Sequence, residues 1–247
     1  MDPIEFTVVT YNIDSRKLNR EERLKAFLEK ISLDPPDVVV IQEGCRITYE
    51  KLLREMGLLG YKKQLLDAMN SRETGEMIFS KFPLSDGKYF QFRRTAGNRG
   101  VSCAKLDIRG TNVWICTSQF NEQTSLYRIQ IKELNTTLHH LSKDELLIFA
   151  GDTRISEYQK DLTCPEGWYD TWYESGDEKN KFTYDSKTNL LVKPPYMDRP
   201  DRIWVRPSLQ GEEVGNVECL ECKLYGNDSS VTISSHYGVM AKFRIKI

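Results

Sequence analysis

In five places along this 247-residue chain a carboxylate, an amide or a histidine stands where an apolar run stops or starts. Thr10-Tyr11-Asn12-Ile13-Asp14 closes the first run, Ile41-Gln42-Glu43 closes the second, and Ala150-Gly151-Asp152-Thr153 follows Leu146 to Phe149. Pro200-Asp201-Arg202-Ile203 opens another, and Ser234-Ser235-His236-Tyr237-Gly238 leads into the last. These side chains accept, donate or move protons, and strand ends are where a rigid sheet holds such groups in fixed geometry. Taken singly each is weak, because a carboxylate after a strand is ordinarily a turn former or a helix cap.

Periodicity gives the elements that must position them. Phe6 to Tyr11 is rich in β-branched and aromatic residues and reads as a strand. Leu24, Phe27, Leu28 and Ile31 form one apolar stripe, which predicts a helix over about Arg20 to Ser32; Asp34-Pro35-Pro36 stops it. Val38 to Ile41 is wholly apolar, as expected of a strand buried on both faces. A second helix is predicted over about Thr48 to Leu58. Short strands follow at Glu76–Ser80, Lys88–Phe92, Val101–Ile108 and Asn112–Thr117, with a hairpin turn at Arg109-Gly110-Thr111-Asn112. A long helix over Thr124 to Leu141 precedes the buried run Leu146 to Ala150. The last third is rich in loops, with strands at about Arg202–Val205, Glu218–Leu224 and Gly238–Ile245. Strand blocks interrupted by a few helices predict an α/β (α+β) two-layer β-sandwich flanked by helices. No repeat, low-complexity tract or Gly/Ser-rich linker divides it, so residues 1–247 are expected to form one domain.

In this order the strand-end groups resemble the motif set of the endonuclease/exonuclease/phosphatase superfamily, and in texture its tyrosyl-DNA phosphodiesterase type-2 branch. Tyr11-Asn12-Ile13-Asp14 is similar to that branch's Trp-Asn-Ile-Asp, and Phe149-Ala150-Gly151-Asp152-Thr153 to its Phe-Ala-Gly-Asp-Thr. Asp170-Thr171-Trp172, Phe182-Thr183-Tyr184-Asp185 and Asp201-Arg202-Ile203-Trp204 resemble its Asp-x-Trp, Phe-Thr-Trp-Asp and Asp-Arg-Ile-Phe, so the likeness covers nearly the whole chain. It implies cleavage of phosphodiester bonds with a divalent ion, usually Mg²⁺, which takes oxygen ligands and offsets charge on the phosphoryl group. It makes Glu43 the principal metal ligand, supported by Asn12. It makes Asp201 and His236 the general-base or charge-stabilising pair, and Asp152 the aspartate that positions or deprotonates the attacking water. Tyr184 and Trp172 fall where the family has the rim of its substrate groove, to stack on a base or to plug the core.

Three positions depart from the family pattern. Thr117-Ser118-Gln119 replaces Thr-Ser-His; Gln119 still donates a hydrogen bond but carries no charge. Gly151-Asp152-Thr153-Arg154 replaces Gly-Asp-x-Asn, exchanging a short two-way hydrogen-bonding group for a long, permanently charged donor that either clamps a phosphate or occupies the space of the metal. Ser234-Ser235-His236 replaces Ser-Asp-His and removes a carboxylate; Asp14 and Glu122 are neighbours able to substitute for it. Losing one preorganised donor commonly costs about 2.7–4 kcal/mol of transition-state stabilisation. The expectation is therefore a phosphodiesterase-like protein of impaired or absent turnover, retained as a binding module for a protein or a nucleic-acid partner such as a single-stranded 5′ end. Mg²⁺ is then held weakly or not at all. The alternative is an active Mg²⁺-dependent phosphodiesterase acting on nucleic-acid 5′ ends.

Composition agrees with a globular chain: 39% hydrophobic, 29% charged, and a formal net charge of −1, which is not that of a wholly basic nucleic-acid binder. No apolar run approaches the roughly 18 residues of a membrane span, and the N-terminus has no secretory pattern. Six scattered cysteines suit free, buried thiols in a reducing compartment, so the nucleus or cytoplasm is expected. Cys219-Leu220-Glu221-Cys222 is a lone pair without a zinc partner, and on a regular strand its two thiols would face opposite sides. His139-His140 suit the C-terminus of the long helix, and Arg93, Arg94 and Arg99, among Tyr89, Phe90 and Phe92, are expected on a solvent face, with a basic-aromatic strip that tracks a nucleic-acid strand as the alternative.

Overall fold

The computed structural model describes residues 3–64, 73–159, 162–208 and 217–245. The chain begins with β1 (Ile4–Asn12), α1 (Arg20–Leu33), β2 (Val38–Cys45) and α2 (Arg46–Leu58). A run of strands follows: β3 (Lys62–Gln64), β4 (Thr74–Ser80), β5 (Leu84–Gln91), β6 (Gly100–Ile108) and β7 (Thr111–Thr117). Then come α3 (Thr124–Leu141), β8 (Leu146–Asp152), β9 (Tyr169–Asp170) and α4 (Thr171–Ser175). The last strands are β10 (Tyr184–Asp185), β11 (Met197–Asp198), β12 (Asp201–Arg206), β13 (Val217–Tyr225) and β14 (Gly238–Ile245). They build two six-stranded sheets, ordered β13-β14-β1-β2-β4-β3 and β5-β6-β7-β8-β12-β9, with β10 and β11 pairing apart.

The apolar runs show why the sheets stack. In β2, Val38 and Val40 enter the core between the sheets while Val39 and Ile41 enter a second core under α1 and α2. In β8, Leu146, Ile148 and Ala150 face the other sheet, and Leu147 and Phe149 pack beneath Leu134 and Leu138 of α3. Period-2 alternation with both faces apolar is the signature of a strand covered on both sides. The expected two-layer β-sandwich flanked by helices is the architecture observed.

Register then delivers the strand-end groups to one place. β1 and β2 run parallel with Asn12 opposite Gln42, and β8 and β12 run antiparallel with Asp152 opposite Asp201. Across the sheets, Gln42 Nε2 donates to Thr117 Oγ1 at 2.9 Å, while within its own sheet Gln42 Oε1 accepts from Thr10 Oγ1 at 3.2 Å. Gly151 permits the closest approach, since a Cβ there would meet the Ser118 carbonyl oxygen at 2.3 Å.

Two local expectations change. Phe92 leaves the β5 ladder, its N–H turning to the Arg99 carbonyl at 3.0 Å. The register of β13 shifts between Cys219 and Glu221, so that Cys219 and Cys222 both pack against the inter-sheet core rather than on opposite faces. A β-bulge inserts one residue and restores the same-side orientation that strict alternation denies. The six cysteines are free.

Candidate active site

The site forms where β1 and β2 of one sheet meet β8 and β12 of the other. At three strand ends a non-glycine residue takes a left-handed conformation: Asp14 (φ 54°), Glu43 (φ 58°) and Arg154 (φ 55°). Such backbones persist when the surroundings over-determine them, and they gather at functional sites. At Glu43 the cause is a register shift between Ile41 and Gly44 of β2.

Glu43, Asp152 and Arg154 meet. Glu43 Oε1 accepts from Gln119 Nε2 at 2.6 Å, Asn12 Nδ2 at 3.2 Å and Arg154 Nη2 at 3.5 Å. Glu43 Oε2 accepts from the Ser15 N–H and hydroxyl, both at 3.0 Å. Asp152 Oδ2 accepts from Asn12 Nδ2 at 2.9 Å and lies 3.1 Å from Arg154 Nε, while its Oδ1 accepts the Arg154 N–H at 3.1 Å. Arg154 Nε is in ion-pair range without a hydrogen bond of good alignment. Burial alone would raise the pKa of both carboxyls, but Ser15, Gln119 and Arg154 at Glu43, and Arg154, His236 and Asn12 at Asp152, outweigh it and hold both down.

The proton-handling pair is formed. His236 Nδ1 lies 2.8 Å from Asp201 Oδ2, which also accepts from Thr183 Oγ1 at 2.6 Å. Burial opposes the charge of His236, yet Asp201 and then Asp152 raise its pKa above the ordinary histidine value. Ser234 fixes the loop, its hydroxyl donating to the Asn12 carbonyl at 2.6 Å and accepting the His236 N–H at 3.1 Å. Ser235, in the position of the missing carboxylate, is buried.

Of the expected site residues, Asn12, Glu43, Gln119, Asp152, Arg154, Asp201 and His236 converge. Tyr184 walls the adjoining groove, its ring 5.0 Å from that of His236. Trp172 is not brought there: in α4 it packs against the inter-sheet core with Lys181 Nζ 4.6 Å and Arg199 Cζ 5.1 Å over its ring, so it is a core plug. Neither neighbour replaces the lost carboxylate. Asp14 pairs with Arg16 and Arg23, and Glu122 is 77% exposed, 3.9 Å from Arg154.

Sequence reasoning did not find Arg99, Ser15, Thr183 or Arg16. Arg99 is no solvent-face residue: it hydrogen-bonds Gln119 Oε1, which turns the amide so that Nε2 donates to Glu43. Thr183 lies within a quoted motif and Arg16 two residues beyond another, so these had a signal; Arg99 and Ser15 had none. Arg16, Arg154, Lys193 and Tyr184 border a groove of about 410 Å³ that ends on His236.

A divalent ion centred on Glu43 does not fit these residues. Mg²⁺ needs near-octahedral oxygens at about 2.0–2.1 Å, whereas five donors already engage the Glu43 carboxylate and one belongs to a fixed cation. A metal-capable trio exists beside it, Asp152, Asp201 and His236, with one ligand atom each within 4.8 Å of one another. Asp201 Oδ1 there is buried without a partner. An ion at the trio would share Asp152 with the guanidinium.

No protein-family model matches the chain. Tyrosyl-DNA phosphodiesterase 2 of Gallus gallus is 25% identical to it over 260 residues, spanning 97% of this chain and 67% of that protein. Among solved structures, D. rerio TDP2 complexed with a single strand DNA product superposes with a TM-score of 0.82 at 21% identity, covering 97% of this chain and 98% of that one. Truncated Caenorhabditis elegans TDP2 gives 0.77 at 21% identity over 97% and 98%. An endonuclease/exonuclease/phosphatase family protein from Bacteroides thetaiotaomicron gives 0.77 at 12% over the whole of both chains. The solved structures establish the fold, and the curated relative and the ordered strand-end motifs narrow it further. The chain has the fold of the endonuclease/exonuclease/phosphatase proteins and is similar over nearly its whole length to tyrosyl-DNA phosphodiesterase 2.

Proposed function

We propose that this protein holds the phosphorylated end of a nucleic-acid strand in a phosphodiesterase site rebuilt around an arginine, and turns that end over weakly or not at all. The observation that carries this is the Arg154 guanidinium seated between Glu43 and Asp152. A fixed positive charge there supplies some of what a divalent ion would: it offsets two carboxylates and presents N–H donors toward a phosphoryl oxygen entering the groove. It cannot reproduce the rest, since a guanidinium does not acidify a bound water. Asp152 is committed to Asn12 and Arg154, which weakens it as the group that draws a proton from water. Arg16 at the groove edge adds a second phosphate contact. Its guanidinium is hydrogen-bonded to Asp14, and its side chain is 54% exposed. The single strand DNA product bound to D. rerio TDP2 supports a nucleic-acid end as the ligand class. The partner is accordingly nucleic acid, and the nucleus or cytoplasm its setting; among the described residues no helix is long and apolar enough to cross a membrane.

A second reading, Mg²⁺-dependent hydrolysis at 5′ ends, is favoured by the intact His236–Asp201 pair and by the trio it forms with Asp152. One experiment separates them: a 5′-phosphotyrosyl single-stranded oligonucleotide incubated with the protein with and without Mg²⁺, beside Glu43→Gln. Measurable binding with no turnover in either condition is the expected result. Mg²⁺-dependent turnover that Glu43→Gln abolishes would overturn it in favour of the second reading.

A further inference from the structure

We propose that one internal water molecule joins Asp201 to the buried arginine cluster behind it, which makes Arg199 a positioning residue for the Asp201–His236 pair. The proposal concerns that pair alone and does not depend on which ligand the site takes.

A small cavity of about 10 Å³ lies behind Asp201, and Thr183, Lys181, Trp172, Arg199 and Arg202 are among its lining. Four buried polar atoms without a hydrogen-bond partner belong to residues of that lining. They are the acceptor Asp201 Oδ1 and the donors Arg199 Nη2, Arg202 Nε and Trp172 Nε1. Buried polar groups are ordinarily satisfied, so several orphans around one cavity mark a ligand. Size and chemistry name it. The volume is that of one water, and an internal water takes about three hydrogen bonds. A halide would face the carboxylates of Asp170 and Asp201, and a metal cation the guanidinium groups of Arg199 and Arg202. A water accepts from the donors and donates to the carboxylate.

The consequence falls on His236. Asp201 Oδ2 is already engaged, by His236 Nδ1 at 2.8 Å and by Thr183 Oγ1 at 2.6 Å. A carboxylate gripped through one oxygen still rocks about its last side-chain bond. Gripping the second oxygen fixes its plane, and with it the direction of the imidazole. Arg199 is a rigid anchor for the water. Its Nη1 donates to both oxygens of Asp170 at 3.0 Å and its Nε to Glu157 at 2.9 Å, and its Cζ lies over the Trp172 ring, 5.1 Å from the centroid. Nη2 is the part of the guanidinium left over.

The test is NMR of the ¹⁵N-labelled protein at fixed pH, where four tryptophans and three histidines give few side-chain N–H signals. The Trp172 Nε1–H signal, assigned by its loss in Trp172→Phe, is expected to show a direct cross-peak to a long-lived water. The His236 Nδ1–H signal is expected to exchange with solvent about tenfold faster in Arg199→Met, the loss of one hydrogen bond to a charged group. Glu157→Gln is the control. It loosens Arg199 from another side but keeps Nη2 and the cavity, so the exchange should not change. Should Arg199→Met fail to fold, Trp172→Phe keeps the ring, removes one donor of the water and is expected to speed the exchange by a smaller factor. No water cross-peak at Trp172, an exchange rate that Trp172→Phe leaves unchanged, or equal acceleration by Glu157→Gln would overturn the proposal. A Trp172 signal that moves when chloride replaces acetate in the buffer would assign the cavity to an anion and overturn it equally. The oligonucleotide experiment tests the reading of the site separately, and its outcome is independent of these.

Discussion

β12 separates two clusters in which arginines meet carboxylates. Asp201 points to the site; its neighbour Arg202 points the other way, to Asp170. On that side Asp170 accepts from Arg199 Nη1 through both oxygens at 3.0 Å, from Arg202 Nη1 at 3.1 Å and from Trp204 Nε1 at 3.3 Å. Arg199, Arg202 and Asp170 are all at most 3% exposed. On the other side Arg154 and Glu43 are 20% and 19% exposed, and Arg154 borders a groove. The same chemical pairing thus does two things. Sealed behind Trp172 and Trp204 it ties β9 to β12; partly opened to solvent it leaves the Arg154 cation and the Glu43 carboxylate accessible, above a buried Asp152. The difference is access, not residue type.

The sealed cluster should be the more costly to break. Asp170→Ala takes the shared carboxylate from two buried guanidinium groups, leaving Glu157 as their remaining partner, and is expected to lower the unfolding free energy by about 3–5 kcal/mol, read from urea denaturation. A loss below about 1 kcal/mol would make the two clusters equivalent. Asp14, buried beside the buried Arg23 and the exposed Arg16, lies between the extremes. Burial pushes its carboxyl up, but Arg16 and Arg23 outweigh this and hold it at about 2. A depressed folded-state pKa contributes stability that is complete above the unfolded value and is lost as pH falls through the folded one. The wild type should therefore exceed Asp14→Asn by about 2 kcal/mol at neutral pH. The gap should close between about pH 4 and pH 2; a gap that does not depend on pH would deny the ion pair its role.

The open cluster should be the cheapest to break and the most informative. Arg154→Asn should lower stability by less than Asp170→Ala, because Asn12 and Gln119 still donate to Asp152 and Glu43, while freeing Glu43 and Asp152 for an ion. Thermal midpoints with and without Mg²⁺ are expected to coincide for the wild type and to separate for the variant, through binding to the folded state. An equal shift in both proteins would show that the guanidinium does not exclude the ion.

The layers of the fold were readable because burial on both faces leaves uninterrupted apolar runs, as in Val38 to Ile41. Most of the site was readable because it sits where those runs end. What was not legible arose from tertiary events with no local signature. The bulge in β13 put Cys219 and Cys222 on one side. The return of the 92–99 loop brought Arg99 to Gln119, although its neighbours Arg93 and Arg94 are the exposed residues the composition suggests. Trp172 occupies a motif position that reads equally as groove rim or core, and only its packing under Lys181 and Arg199 decides. Departures such as Arg154 were visible as letters, but the letter does not say whether the side chain turns toward the metal ligands or away.

The site draws Asn12 and Glu43 from one sheet and Asp152 and Asp201 from the other, and Asn12 Nδ2 spans the seam to Asp152 at 2.9 Å. Whatever binds there is gripped by both halves of the sandwich at once. Occupancy and the sliding of one sheet over the other are therefore mechanically linked: a ligand acts as a rivet through the two layers, and any loosening of the sheets registers first as a change in how tightly that ligand is held.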